Sequence, residues 1–213
     1  MNARRIFLKL WVLSTLAMGR SGWAKGSHPL PPGVRKMTGE VTINGAVAHV
    51  GQVVLDGDTV KTGPRAEVVY VIATNAFLVR ENSQVSHLRD GVTSVLRVLN
   101  GKILSVFGPG QKRIQVPTAT IGIRGTGCYI EAEQDKTYFC LCYGTADITP
   151  VADAAQSQQV VTTHHDSPFY IGADANVPLI QRAPVINHRD VELVMLEAEA
   201  GRPTPFTQAY TSY

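Results

Sequence analysis

GEVTINGAVAHVGQVVLDGDTVKTG, residues 39–63, decides the fold. Val, Ile and Thr recur in short strand-like stretches, and Asn44-Gly45 and Asp56-Gly57 stand between them. Asn-Gly is a preferred corner of a two-residue hairpin because both residues tolerate positive φ, and Asp-Gly repeats the device. The stretch therefore predicts short antiparallel strands joined by tight turns.

The pattern continues outward. AEVVYVIATNAFLVRENSQVSHL (66–88) is rich in Val, Tyr and Phe, with Asn75 and Asn82 as turn markers, and VTSVLRVLNGKILSVFG (92–108) places another turn at Asn100-Gly101. KRIQVPTATIGIRGTGCYIEAE (112–133) and TYFCLCYGTADIT (137–149) complete the set. No segment of this zone holds a helical apolar period. Turns at roughly 8–12-residue spacing make residues 39–149 an all-β domain, β-solenoid-like or a sandwich of short strands. With 213 residues, 44% hydrophobic and 17% charged, the chain can bury one ordinary core.

The flanks read differently. KGSHPLPPGVR opens a linker over 25–38, in which His28 is solvated. Residues 150–213 read as a C-terminal arm and helix. The proline-bearing stretch to 186 is expected to be irregular. NHRDVELVMLEAEAGRP reads as a helix with Asn187 as N-cap, Asp190 and Glu192 at its positive end, and Val191, Val194, Met195 and Ala198 as its apolar stripe. Gly201 is placed to close it, and a loose tail follows.

Four of the 20 basic residues (Arg4, Arg5, Lys9, Arg20) and none of the 17 acidic ones lie in residues 1–24. The rest of the chain carries 16 basic against 17 acidic residues, so no nucleic-acid footprint is present. Residues 1–24 have the layout of an export signal peptide: a basic start, an apolar run from Leu10 to Gly19, and a small-residue site ending at Ala24. The run is shorter than the roughly 20 residues of a bilayer span, so no stable membrane span is expected after cleavage. Arg4, Arg5, Phe7, Leu8 and Lys9 resemble the twin-arginine signal, Arg-Arg-x-Phe-Leu-Lys. The resemblance implies a bacterial protein exported in a folded state to the periplasm, an oxidising compartment.

The β zone resembles the FecR domain of bacterial envelope proteins. The similarity rests on Gly57-Asp58-Thr59-Val60-Lys61-Thr62-Gly63, on Leu99-Asn100-Gly101-Lys102-Ile103, and on Pro117-Thr118-Ala119 running to Ile123-Arg124-Gly125-Thr126. It covers about half of the chain. It implies an all-β periplasmic domain for sensing or protein contacts, non-enzymatic, with an envelope protein or small ligand as partner. Iron-siderophore signalling members also carry a cytoplasmic anti-sigma segment and a membrane span. This sequence shows neither, so the expectation is limited to fold, compartment and an interaction role. Without reference to any family, Gly122, Gly125 and Gly127 interrupt a strand and predict a bulge or bend around Arg124, Gly125 and Thr126. GIRGTG lacks the spacing of a phosphate-binding loop, and no helix follows it.

All three cysteines lie in the predicted last hairpin, whose turn falls near residues 133–136. Cys140 and Cys142 share a face with Tyr138, while Phe139, Leu141 and Tyr143 face the other way. Cys128 joins the thiols if it pairs with residue 140 or 142 and opposes them if it pairs with 141. A disulfide from Cys128 to Cys140 or Cys142 is one reading, and buried inert thiols are another. The third is a transition-metal or redox site, which needs histidine because three thiolates are one short of four. The candidate ligands are Cys128, Cys140, Cys142, His164, His165 and His188, with Asp190 near the last. His49 and His87 sit in strand-like runs and read as structural. No catalytic constellation is present, neither Gly-x-Ser-x-Gly nor His-Glu-x-x-His.

Overall fold

The structure is a computed structural model that describes residues 31–206. The export-type leader, the start of the linker with His28, and the end of the tail lie outside the described residues.

The described residues are all-β with one α-helix near their C-terminal end. Strands β1 (Gly33–Thr38), β2 (Val41–Ile43), β3 (Ala46–Val47), β4 (Thr59–Thr62), β5 (Glu67–Ile72), β6 (Asn75–Val79) and β7 (Gln84–Asp90) lead to the long strand β8 (Thr93–Val106). Then come β9 (Gln111–Val116), β10 (Ala119–Ala132) and β11 (Lys136–Pro150), followed by β12 (Gln158–Thr162), β13 (Ser167–Gly172), β14 (Ile180–Arg182) and helix α1 (Asp190–Glu199). All fourteen strands belong to one hydrogen-bonded sheet with β10 paired to β8, β9 and β11. One apolar cluster draws on residues from β1 through β13, including Val34 and Ile171, so the sheet curls around this core. A second cluster on its other face holds Leu78, Leu104, Tyr129 and Tyr138 under Leu193 and Leu196 of α1.

The Asn44-Gly45 hairpin forms as the sequence predicts, with φ of 53° and 81°. Asp58, of the Gly-Asp element, accepts from Asn44 Nδ2 at 2.6 Å and from the Leu55 amide at 2.8 Å, which ties two turns together.

Several expectations are corrected. Asn100-Gly101 is not a turn: β8 runs through it, with a register shift opposite Gln84 and Val85. Part of the linker, Gly33–Thr38, is a strand on β5, where it needs only one ladder of partners. The arm is not irregular throughout, because β12, β13 and β14 add to the sheet beside β11. His49 lies outside any strand. The helix N-cap is Arg189, whose amide donates to Glu192 Oε2 at 2.9 Å, and not Asn187. The buried helix positions are Asp190, Leu193, Leu196 and Glu197, whereas Val191 is exposed. The apolar count misread the stripe because the face toward the sheet carries two acids with buried partners. Gly201 does close the helix: Arg202 N reaches Glu197 O at 2.8 Å and Gly201 N reaches Ala198 O at 3.0 Å.

A candidate metal centre on the last hairpin

β10 and β11 form the longest ladder of the sheet, and two irregularities in it set the site. On β10, Ile121 and Ile123 point into the main core, but so do Cys128 and Ile130. The face has changed from odd to even positions across Arg124-Gly125-Thr126. There the pairing shifts register and Gly125 adopts φ 55°, a conformation that suits glycine. Gly127 has Tyr143 packed against it, so closely that a Cβ would lie 2.5 Å from the ring. The Arg-Gly-Thr element thus turns the strand over. Arg124 itself is exposed.

On β11, Gly127 pairs with Tyr143 and Cys128 with Leu141, so Cys142 is the extra residue of a bulge. Cys140 and Cys142 both face the helix side, and Tyr143 joins them there, contrary to simple alternation. Cys128 lies across the sheet with Phe139 and Leu141. All three cysteines are free, which overturns the disulfide from Cys128 to Cys140 or Cys142: a thiol on one face of a strand pair cannot reach across the backbone to the other.

The arm delivers the histidines to this bulge. β12 pairs with the far half of β11 from Gly144 onward, and β13 pairs with the near half up to Leu141. The turn between them, residues 163–166, therefore crosses at Cys142, and the His165 amide donates to Cys142 O at 3.0 Å. The Asp166 carboxylate fixes the turn by accepting from the Thr162 hydroxyl at 2.8 Å and the Thr163 amide at 3.0 Å. These bonds, the Thr162 hydroxyl foremost, hold its pKa down to about 2. His165 takes φ 53°, which brings its ring inward.

His188 arrives from the segment before α1. The Tyr138 hydroxyl donates to Pro184 O at 3.0 Å and accepts from the Ile186 amide at 3.2 Å. Arg80 donates to Asn187 O at 3.1 Å and to Glu192 Oε1 at 2.8 Å. The His188 ring stacks on Tyr129 with centroids 4.7 Å apart.

The result is four buried donors, Cys140 Sγ, Cys142 Sγ and one nitrogen each of His165 and His188, all within 4.8 Å of one another. Of the six sequence candidates, these four converge. His164 lies just outside them, joined to His165 by Asp190, and Cys128 is excluded. His188 Nδ1 donates to Ile186 O at 2.6 Å, and His165 Nε2 donates to Asp190 Oδ1 at 3.1 Å, since a carbonyl and a carboxylate only accept. That directs the His188 Nε2 and His165 Nδ1 lone pairs at each other across 3.0 Å, with Cys140 Sγ 3.5 Å from the same His165 nitrogen. A proton on one nitrogen would serve two atoms, whereas a metal ion serves all four. In a tetrahedral centre with bonds of about 2.0–2.1 Å to nitrogen and about 2.3 Å to sulfur, neighbouring edges come to roughly 3.3 Å (N–N) and 3.6 Å (N–S), close to the two spacings observed. The Cys142 thiol, with His165 and His188, pulls the Cys140 thiol well below its ordinary pKa, against the burial that raises it. Burial pushes Cys142 up, and it does the same to Cys128.

Sequence reasoning placed Asp190 beside His188 but gave neither it nor the tyrosines a part in orienting the ligands. Asp190 reads as a helix-start acid, yet it is buried and holds both His164 and His165. Tyr129 and Tyr138 read as strand aromatics. The His188-x-Asp190 spacing is the signal that points to Asp190.

No protein-family model matches the chain, and no curated protein matches it in sequence. Among solved structures, it is similar in fold to a "putative anti-sigma factor" from Parabacteroides distasonis ATCC 8503 solved at 2.50 Å. That match has a TM-score of 0.50 at 5% identity and covers 68% of this chain and 74% of that one. Another structure of the same description and organism, at 1.65 Å, aligns at 4% identity with a TM-score of 0.49, over 58% of this chain and 59% of that one. At such identities the first likeness speaks for the fold alone. Among the described residues, no helix is long and apolar enough to cross a membrane.

Proposed function

We propose that this chain is a non-enzymatic, FecR-like β domain of the bacterial envelope whose Cys140/Cys142/His165/His188 centre binds a transition-metal ion, zinc(II) or copper(I) by ligand type. The observation that carries the metal reading is the convergence of four buried donors whose two imidazoles are each anchored from behind by a carbonyl or carboxylate, the usual outer support of metal-bound histidine. Four protein donors leave no open coordination position for a substrate, which favours a structural or sensing role over catalysis. The leader supports export to the periplasm by a twin-arginine route, and a route that carries folded protein would deliver the centre already loaded. The FecR-like motif order and the fold shared with an anti-sigma-like structure support a protein partner.

The test is metal analysis of the full chain purified without chelator. One ion per chain, absent from Cys140→Ser and kept by Cys128→Ser, is the expected result. Metal-free wild-type protein that takes up neither zinc nor copper(I) on addition would sink the metal reading.

A further inference from the structure

The centre has a second, outer group of donors. His164 Nε2 lies 2.9 and 3.0 Å from the two oxygens of Asp190, and His165 Nε2 lies 3.1 Å from Oδ1 of the same carboxylate. These three side chains form their own compact ligand set. His165 belongs to both sets, with Nε2 facing Asp190 and Nδ1 facing Cys140 and His188. The two sets differ in access: the His164 side chain is 26% exposed, while those of His165 and Asp190 are 1% and 4% exposed. Neighbouring residues on a strand point to opposite faces. Here the left-handed turn at His165 sets the two rings 4.8 Å apart against one carboxylate.

We propose that His164 and Asp190 form an outer station for a borderline divalent cation, through which the ion passes to and from the buried thiolate centre. The inference rests on the metal reading of that centre. Imidazole and carboxylate suit zinc(II) or cobalt(II) that still carries water, and solvent completes the shell on the exposed side. The arriving ion exchanges water for Asp190 oxygen and for the Nε2 lone pair of His164, once the Nε2 proton has moved to Nδ1 through solvent. It then exchanges these for the inner donors, and the two thiols release their protons to water as they bind. His164 is outside the final four ligands, so it acts on passage and not on the end state.

A station of transit speeds arrival and departure equally and leaves affinity unchanged. A histidine that only steadies Asp190, and through it His165, would instead change affinity. Stopped-flow mixing of the metal-free full chain with cobalt(II), followed by the thiolate-to-cobalt absorption and then by release to a chelator, separates the two. His164→Ala is expected to slow both loading and release by roughly tenfold, a small rise of one shared barrier, with the final absorbance and the dissociation constant unchanged. His164→Gln should behave alike and guards against a folding artefact, and His49→Ala should load as wild type. Unchanged rates, a weaker dissociation constant at unchanged loading rate, or equal slowing by His49→Ala would overturn the proposal. Absence of the thiolate band in wild type would instead overturn the centre on which it rests.

Discussion

The two faces of the β10–β11 hairpin carry the same residue type to opposite ends. On the core side, Cys128 sits with Ile130, Phe139 and Leu141 as one more small apolar group, its thiol pushed up by burial. On the helix side, Cys140 and Cys142 are as fully buried, yet they face two imidazoles, and the Cys140 thiol is pulled down. Burial alone therefore does not decide what a cysteine does. The neighbours do, and the neighbours are chosen by register. The bulges at Arg124-Gly125-Thr126 and at Cys142 select the faces, so a motif without chemistry of its own determines which thiols meet the histidines.

The comparison breaks most visibly at the thiols. Cys140→Ser or Cys142→Ser should take metal content from one ion per chain to none, read by metal analysis, while Cys128→Ser leaves it intact. The reverse assignment would place the centre on the wrong face. Next in size is Leu141→Ala, which empties core volume between the two thiols on the opposite side. A loss of about 2–5 kcal/mol in denaturant unfolding is expected, with metal stoichiometry retained.

The core face also carries a histidine, whose ring packs against Tyr70 and Phe77. His87 Nε2 shares a 2.8 Å hydrogen bond with the Tyr70 hydroxyl, and burial lowers its pKa from 6.5 to about 4. The unfolded chain binds the proton more readily between those values. Stability from this group is thus complete above pH 6.5 and falls as pH drops toward 4, by about 3 kcal/mol in all. His87→Gln should flatten that part of the stability-against-pH curve. An unchanged acid limb would show that His87 is not held neutral.

On the helix face, Asp190→Asn should weaken metal affinity by about 10–100-fold in chelator competition, because the amide no longer draws the His165 Nε2 proton as a carboxylate does. The smallest effect is at Cys128 itself. Serine there buries a hydroxyl in an apolar pocket, and about 1–2 kcal/mol of stability should be lost without change at the metal.

Much of this was legible in the sequence, and the limits have physical causes. Asn44-Gly45 announces its hairpin because local φ preferences decide it. Asn100-Gly101 has the same letters, but Gly101 packs against Ser83 inside a long ladder, so tertiary pairing overrides the local signal. The candidate ligands were nameable by type, but their meeting was not. Whether Cys128 joins Cys140 hangs on one residue of register, and alternation alone could not see that two bulges reset it. The helix stripe misled for a related reason. Glu197 is buried against the Tyr143 hydroxyl and Arg202, and Asp190 against two histidines, so polar residues occupy the inward face.

The central claim is that two thiols and two imidazoles share one ion. Metal-edge X-ray absorption on the zinc-loaded full chain tests it most directly. Two sulfur scatterers at about 2.3 Å and two nitrogen scatterers at about 2.0 Å are expected. A shell of oxygen and nitrogen alone, or three sulfurs, would contradict it.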